Sequence, residues 1–308
     1  MFEKIKKCKE NIFVYSFLAI YIGLSLVCVI THESWADEAQ AWLIARDLNV
    51  FGIINQMKYE GHSCMWHLIL APFAKLGFPY ETIKFISWFF CVIAVYLILK
   101  KAPFNKFVKI LLVFNPVMVY LYPAISRCYS MIPLLLACVA ICYKDKEEHP
   151  YKFAISLALL ANTHLIMLPL VGMILLTFWG EKLILKRKEI DKDKRIVLWK
   201  SFGIVMLGVL IYLAQATLAM FYCEIASQTE SFSKIFGLKS AFSIIKNTIN
   251  TTTYYMYKNI LGCVIAFSIA MVILMLASFF DKKRCTYILA TSLVFGVCAC
   301  ICLVCNQT

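Results

Sequence analysis

Long apolar runs divided by short basic clusters are the feature that most constrains this chain. The first run, Ile12 to Thr31, contains no charged residue and follows a lysine-rich N-terminal segment. Its 20 residues match the length of about 20 that a helix needs to cross a bilayer. Hydrophobic residues make up 62% of the chain and charged residues 16%, against about 45–50% and about 25% in soluble domains. The sequence therefore predicts an all-α integral membrane protein.

The basic residues lie between the apolar runs, and they predict the orientation of the chain. Cytoplasmic loops carry an excess of lysine and arginine, so we expect a cytoplasmic N-terminus. The compact loops and the absence of sorting signals favour a bacterial plasma membrane. The formal net charge of +13 does not indicate nucleic-acid binding, because it is dispersed among membrane segments. By the length criterion we expect about nine spanning helices. They lie near residues 12–31, 83–99, 110–122, 129–143, 153–163, 165–185, 201–222, 260–280 and 287–304.

The segment from Thr31 to Thr82 interrupts this pattern and predicts an outer loop with two surface helices. We expect them at Ala36–Leu48 and Met65–Leu76, because short apolar runs are more often interfacial than spanning. If the second crossed the membrane, the lysines that follow residue 99 would move outside, against the positive-inside rule. The apolar face predicted for the first surface helix consists of Trp35, Ala39, Trp42 and Leu43.

Asp37 and Glu38 open the first surface helix and are the candidate catalytic residues. One reading is structural: Ser34 followed by Asp37 resembles a capping box, and carboxylates suit a first helical turn. The functional reading is that one carboxylate binds a metal or takes a proton from an acceptor hydroxyl. The sequence leaves both readings open and does not decide between the two residues.

Five further residues are candidates for substrate binding. Glu60 and His62 flank Gly61 before the second surface helix, where a hydrogen-bonded turn is the structural alternative. Arg127, with Tyr129 beside it, lies at an outer turn, and its forked donors suit a phosphate; a snorkelling arginine is the alternative. His164 interrupts an apolar run at another outer turn, where ionisable residues are functional hypotheses. We expect these side chains and Asp37 to meet in one outer cavity.

Other polar and cysteine residues give weaker signals. Lys234, Lys239 and Lys246 lie in a later outer segment, where a solvated face is the simpler reading and anionic lipid the other. The 14 cysteines show no paired CxxC or zinc-type spacing, so we read them as reduced, buried thiols. No cofactor is required by the sequence, although a divalent metal is compatible with the carboxylates.

The arrangement of these motifs resembles the GT-C superfamily of integral membrane glycosyltransferases. The resemblance rests on the first helix, the Asp37–Glu38 pair and Tyr59-Glu60-Gly61-His62, and it covers residues 12–185. The protein O-mannosyltransferase-like and lipid A aminoarabinose transferase-like branches are the most similar. Two features depart from the family pattern: Ser63-Cys64-Met65 replaces the usual prolines, and a second Asp-x-Asp is missing.

The resemblance implies an enzyme that moves a sugar from a polyprenyl-phosphate donor to a lipid, glycan or protein acceptor outside the membrane, with inversion. It implies one transmembrane domain, with a catalytic module at 1–185 and additional membrane helices at 186–308. Within it, Asp37 and Glu38 match the acidic pair, and His62 matches the histidine before the second surface helix. Two alternatives stay open: an envelope polysaccharide polymerase or ligase, and a transporter or flippase of lipid-linked sugars, although the sequence shows no repeat.

Overall fold

The computed structural model describes residues 2–60 and 62–222, and these residues form helices and turns without a β-strand. They belong to two compact units, described separately: residues 1–167 with 191–221, and residues 168–190 with 222–308. The helices of the first unit are α1 (Phe2–Thr31), α2 (Ala36–Asp47), α3 (Val50–Glu60), α4 (Met65–Lys75), α5 (Thr82–Lys101), α6 (Lys106–Val113), α7 (Tyr122–Ala124), α8 (Met131–Lys144), α9 (Pro150–Ala161) and, but for its last residue, α11 (Lys192–Tyr222). In the second unit, α10 (Leu168–Ile174) continues into a π-helical segment, Leu175–Leu185.

Four described helices are long and apolar enough to cross a membrane. A bent pair, Lys106–Val113 with Val117–Ala124, would make a fifth span, while two apolar helices of the predicted set, Cys128–Lys144 and Pro150–Ala161, are shorter. The predicted number of nine is therefore not confirmed. The expected spans near 260–280 and 287–304 lie outside the described residues. The four long candidates are Cys8–Thr31, Thr82–Lys101, Leu165–Leu185 and Lys192–Leu218.

The helices α1 and α5 form an antiparallel pair that is joined by a hydrogen bond at each end. Lys84 Nζ donates to His32 O at one end (2.7 Å), and Lys100 Nζ donates to Asn11 Oδ1 at the other (2.6 Å). Between them, Trp88 Nε1 donates to Ser25 Oγ (3.0 Å). The lysine-rich start of α1 therefore lies at the same end as the lysine cluster that closes α5.

The span predicted at 110–122 is broken, with a bend of 52° between its halves. Pro116 has no backbone N–H and cannot continue the helix that ends at Val113. Asn115 Oδ1 then accepts a hydrogen bond from Met118 N (3.0 Å), as an N-cap does when a helix restarts. The Asn-Pro pair thus ends one helix and begins a π-helical turn at Val117–Leu121 that leads into α7.

The helix α8 is short because it begins beside the middle of α5. Cys91, halfway along α5, donates through Sγ to Ser130 O at the start of α8 (3.7 Å). The preceding residues, Ile125 to Arg127, form a turn in which Arg127 N donates to Ile125 O (2.9 Å). Extended backbone at Arg127 ends this turn before the 3₁₀ turn at Cys128–Ser130.

Helices are present at both positions predicted for surface helices, as α2 and α4, and they pack against each other. A third helix, α3, lies between them in the chain and was not predicted. The predicted apolar face of α2 is wrong in part: Trp35 and Leu43 are exposed, whereas Trp42 is buried. The face of α2 that is buried in the first unit contains Glu38, Ala41, Trp42, Ile44 and Ala45.

The helices α9 and α11 approach closely at Gly208. A Cβ at this position would meet Ala158 Cβ at 2.8 Å and Ala158 Cα at 2.9 Å, so only glycine allows the contact. Asn162 Nδ2, just after α9, donates to Gly208 O (2.9 Å) and Ala158 O (2.9 Å). These contacts make α11 part of the first unit, although the resemblance groups residues 186–308 with the additional membrane helices.

Candidate functional site

Four of the predicted site residues line one open cleft in the first unit. They are Asp37 from α2, Glu60 from the end of α3, His62 from the following loop and Arg127 from the turn before α8. The cleft is open to solvent at its mouth, and its interior has room for about one water molecule. Its remaining walls are formed by Ala41, Ser63, Trp66, His67 and Cys128. Residues from four separate parts of the chain therefore meet at one place.

Arg127 is the centre of this cleft. Its Nη1 forms an ion pair with Asp37 Oδ2, and its Nη2 lies 2.8 Å from His62 Nε2. The Tyr129 ring lies beside the guanidinium, with 5.8 Å between Arg127 Cζ and the ring centroid. Only 14% of the Arg127 side chain is exposed, against 58% of Asp37. The arginine is held within the wall, and the carboxylate faces the solvent.

The contact with Arg127 also determines the tautomer of His62. A guanidinium has N–H donors and no acceptor, so His62 Nε2 must accept and the ring proton must be on Nδ1. A protonated His62 would carry a donor at both ring nitrogens and lose this hydrogen bond.

Glu38 has a different environment from Asp37. It is fully buried, and its carboxylate accepts hydrogen bonds from Trp35 N (2.7 Å) and from Ser126 N. His32 Nε2 lies 3.4 Å from Glu38 Oε2. The N-cap of the helix is Trp35 rather than Ser34, and Glu38, at the third helical position, accepts a hydrogen bond from the Trp35 backbone N–H. The carboxylate of Glu38 connects α2 to the turn that carries Arg127.

His164 lies next to the cleft but not among its lining residues. Its ring centroid is 6.4 Å from that of His62 and 5.2 Å from that of Tyr129, both edge to face. Its Nδ1 accepts a hydrogen bond from Ile166 N (3.3 Å). Burial lowers the pKa of His164 to about 4, and the positive charge of Arg127, with that of His62 whenever it is protonated, acts in the same direction. The imidazole is therefore neutral at physiological pH and packs beside Tyr129 and His62.

Glu60 is tied to α2 rather than to the other charged residues of the cleft. Gln40 Nε2 donates to Glu60 Oε1 at 2.6 Å. This hydrogen bond joins the end of α3 to the first half of α2 and orients the Glu60 carboxyl. Gln40 was not predicted, although it lies one helical turn after Asp37 on the same face.

The loop that carries His62 is held by two polar residues from distant helices. Ser63 Oγ donates to Asn162 Oδ1 (3.2 Å), and Cys64 N donates to Gln215 Oε1 (3.0 Å). Gln215 Nε2 also lies 3.3 Å from Cys64 Sγ. The sequence analysis missed Gln215, but a buried glutamine inside an otherwise apolar run is a recognisable signal.

Two residues of the α4 wall, Trp66 and His67, were also missed by the sequence analysis. Only 2% of Trp66 and 4% of His67 are exposed. Burial lowers the pKa of His67 to about 4. A histidine within an apolar helical run, five residues from His62, was the available signal.

Within the described residues, no group of three or more His, Cys, Asp or Glu side chains is placed to hold a metal ion. Lys234, Lys239 and Lys246 lie outside the described part of the chain. No protein-family model, curated protein or solved structure matches this chain. The glycosyltransferase resemblance accordingly stays a prediction from the sequence motifs.

Proposed function

We propose that this protein is a membrane glycosyltransferase that moves a sugar from a polyprenyl-phosphate donor to a hydroxyl acceptor on the outer face of the membrane. The observation that carries the proposal is the cleft in which Asp37 and Arg127 are paired beside His62 and Glu60. Such a site offers a carboxylate for the acceptor proton and a forked cation for the donor phosphate.

The distribution of basic residues supports an outward-facing cleft. His32 follows α1 and lies near Glu38, and Ser63 of the cleft contacts Asn162 at the end of α9. The starts of α1, α9 and α11 and the end of α5 therefore lie away from the cleft. By the positive-inside rule, the basic end is cytoplasmic and the cleft end is external. The basic residues near that distant end are Lys9, Lys100, Lys101, Lys152, Lys192, Lys194 and Arg195.

In the proposed reaction Asp37 acts as the general base. Its carboxylate takes the proton of the acceptor hydroxyl as the oxygen attacks the anomeric carbon of the sugar. The bond between that carbon and the donor phosphate oxygen breaks, and the lipid phosphate leaves with the electron pair. Arg127 stabilises the negative charge that develops on the phosphate.

This mechanism requires Arg127 to exchange a partner when the donor binds. Both arms of its guanidinium are occupied, one by Asp37 and the other by His62. A donor phosphate that displaces His62 accepts a hydrogen bond from Arg127 Nη2, while Asp37 keeps its ion pair with Nη1. Arg127 loses its contact with the neutral His62 rather than the one with Asp37, because a charged phosphate is a stronger hydrogen-bond acceptor than an imidazole.

The proposal assigns the base role to Asp37 and a structural role to Glu38. A general base must reach its proton in the cleft, and Asp37 is exposed there. Glu38 is enclosed, and its oxygens already accept two backbone hydrogen bonds. Substitution of Glu38 would therefore lower the stability of the fold, and it would leave the catalytic base in place.

The test is sugar transfer by the purified protein in lipid vesicles that contain a panel of polyprenyl-phosphate sugars. Asp37→Asn keeps the size of the side chain and removes the base, so we expect transfer to fall by about 10²- to 10⁴-fold. Asp47→Asn is the matched control, because Asp47 is an exposed carboxylate at the other end of α2, paired with Arg46. Unchanged transfer in Asp37→Asn would contradict the assignment, and absence of transfer from every donor would contradict the function.

A further inference from the structure

The helix α3 is apolar on its exposed face as well as on its buried face, although it lies outside the candidate membrane spans. Phe51 is 83% exposed, and Val50 and Ile54 are 52% and 42% exposed. The opposite face, with Ile53 and Met57, is buried in the first unit. A helix that is apolar on two faces needs an apolar surrounding on both. The described residues cover only one of them.

The position of α4 shows how this region lies relative to the spans. Its start is held beside the end of α9, through Ser63 and Asn162, and beside α11, through Cys64 and Gln215. Its end leads by a short connection into α5, which begins at Thr82. The ends of α9 and α11 and the start of α5 all lie at the cleft end of the unit. The helix α4 therefore lies across that end.

The helix α3 runs beside α4 in the opposite direction. Lys75 Nζ, at the end of α4, donates to Leu48 O just before α3 (2.5 Å). At the other end of α3, Glu60 lines the cleft together with Trp66 from the first turn of α4. The helix α3 thus also lies across the outer ends of the spanning helices. A helix in that place is at the level of the lipid headgroups.

We propose that the exposed face of α3 lies in the headgroup region of the bilayer, in the leaflet on the cleft side. Interfacial helices combine apolar side chains with basic and aromatic ones. Lys58 lies on the same face as Ile54, one turn later, and its Nζ is 5.0 Å from the centroid of the Tyr59 ring. The only carboxyl group of α3, Glu60, is bonded to Gln40. The face is therefore apolar and basic, which suits anionic lipid.

A second copy of the chain fits this face less well than lipid does. A stable interface between two proteins buries about 800 Å² on each partner, whereas a whole aromatic side chain supplies about 150–250 Å². Val50, Phe51 and Ile54 fall short of that area, even together with Leu76, the exposed residue after α4. The inference goes beyond the proposed function and holds whichever reaction the cleft carries out. Its consequence is that the mouth of the cleft lies at headgroup level.

The experiment measures the contact of residue 51 with lipid and with water, on the full chain in nanodiscs of phosphatidylcholine and phosphatidylglycerol. Trifluoromethyl-phenylalanine replaces Phe51, and the width of its ¹⁹F NMR signal is followed. The probes are lipids with a nitroxide near the headgroup, lipids with a nitroxide at the end of the acyl chain, and a water-soluble gadolinium chelate. We expect the strongest broadening from the nitroxide near the headgroup.

Two other phenylalanines carry the same label as controls. Phe89, exposed near the middle of α5, should be broadened most by the nitroxide at the end of the acyl chain, and the fully buried Phe153 should respond to no probe. If gadolinium broadens the Phe51 signal most, the face is in water. If the signal stays as sharp as that of Phe153, protein covers the face. Either result, or strongest broadening from the end of the acyl chain, would overturn the proposal.

Phe51→Asp gives a second measurement through the thermal midpoint of the protein in nanodiscs. In water, an aspartate in the first turn of α3 would suit the helix dipole, so the midpoint would stay the same or rise. In lipid, the variant loses apolar contact and brings a charge into the bilayer surface, so we expect a fall of several degrees. Asn55→Asp, at an exposed polar position of the same helix, is the control and should leave the midpoint unchanged.

The two measurements decide the proposal together. A midpoint of Phe51→Asp at or above that of the unaltered protein would overturn it, as would equal falls in Phe51→Asp and Asn55→Asp. If Phe51→Asp does not fold, the labelled protein decides, because trifluoromethyl-phenylalanine keeps the aromatic ring and the apolar character of the side chain.

Discussion

Asp37 and Glu38 are neighbours in the chain, yet their carboxylates have opposite environments. Asp37 is exposed and paired with Arg127, while Glu38 is enclosed by backbone donors from both sides. Successive helical residues are rotated by about 100°, so one side chain faces the cleft and the other faces the interior. A paired acidic motif can thus combine a reactive group with a structural one.

The structural role of Glu38 predicts a loss of stability in Glu38→Gln. The amide keeps one acceptor oxygen and turns an N–H₂ group toward either Trp35 N–H or Ser126 N–H. A buried donor left unsatisfied costs about 1–3 kcal/mol, so the thermal midpoint should fall by several degrees. Glu33→Gln, an exposed carboxylate in the same loop, is the control and should leave the midpoint unchanged. Equal midpoints for the two variants would contradict the structural role.

The residue identities of the cleft were partly predictable. Asp37, Glu60, His62 and Arg127 were recognised because charged or ionisable side chains interrupt apolar sequence near expected outer turns. Trp66 was not recognised, because in the sequence it looks like an ordinary member of an apolar helix, whereas His67 is a histidine inside an apolar run and could have been noticed. The start of α2 at Ala36 agrees with the sequence, but its N-cap is Trp35 and not Ser34, and the Trp35 backbone N–H donates to Glu38.

At the scale of elements, the loop that carries His62 is positioned from a distance. Asn162 after α9 holds Ser63, and Gln215 of α11 holds Cys64. Asn162 in turn donates to Gly208 O, at the close contact of α9 and α11. The packing of these two helices therefore sets the position of the His62 loop relative to Arg127.

Gly208→Ala tests this connection. The added Cβ would lie 2.8 Å from Ala158 Cβ, so α11 must move away from α9. We expect a loss of about 1–3 kcal/mol in stability and a fall in sugar transfer of about 10- to 100-fold, since small displacements at a site are costly. Gly203→Ala on the same helix is the control, because its Cβ would meet nothing within 4 Å. A Gly208→Ala protein with wild-type transfer would contradict the positioning role.

The sequence predicted the helices better than their lengths. Apolar content identifies α1 and α5 directly, since each helix contains the whole of its predicted apolar run, residues 12–31 and 83–99. A proline inside an apolar run indicates the break at Asn115-Pro116 in the sequence. Hydropathy alone, however, predicts a single span there. The short length of α8 could not be predicted from the sequence, because it depends on where α8 begins relative to α5.

At the scale of the first unit, the lysine clusters at the start of α1 and at the end of α5 lie at the end opposite the cleft. The antiparallel α1–α5 pair brings the N-terminal lysines and the cluster at Lys100 together, away from Asp37. The charge pattern predicted this sorting, because the positive-inside rule depends on loop charges and not on packing. The convergence of α2, α3, the His62 loop and the Arg127 turn on one cleft required tertiary contacts.

Epitope accessibility tests the orientation in the membrane. An epitope inserted after Glu147, in the connection between α8 and α9, should be detected only after permeabilisation of right-side-out vesicles. The same epitope inserted after Phe78, in the connection between α4 and α5, should be detected in intact vesicles. The two insertions sit at opposite ends of the unit, so the reverse pattern would place the cleft in the cytoplasm and contradict an external site.

The central claim is that Asp37 and Arg127 act together in sugar transfer, and a double-mutant cycle measures this directly. Transfer is measured for Asp37→Asn, Arg127→Lys and the double variant, with lysine keeping the charge but losing the fork that reaches Asp37 and His62. Residues that act as one unit show strongly non-additive losses. We predict that the double variant is within about threefold of the slower single variant. Losses that multiply, or single variants that transfer as fast as the wild type, would contradict the account.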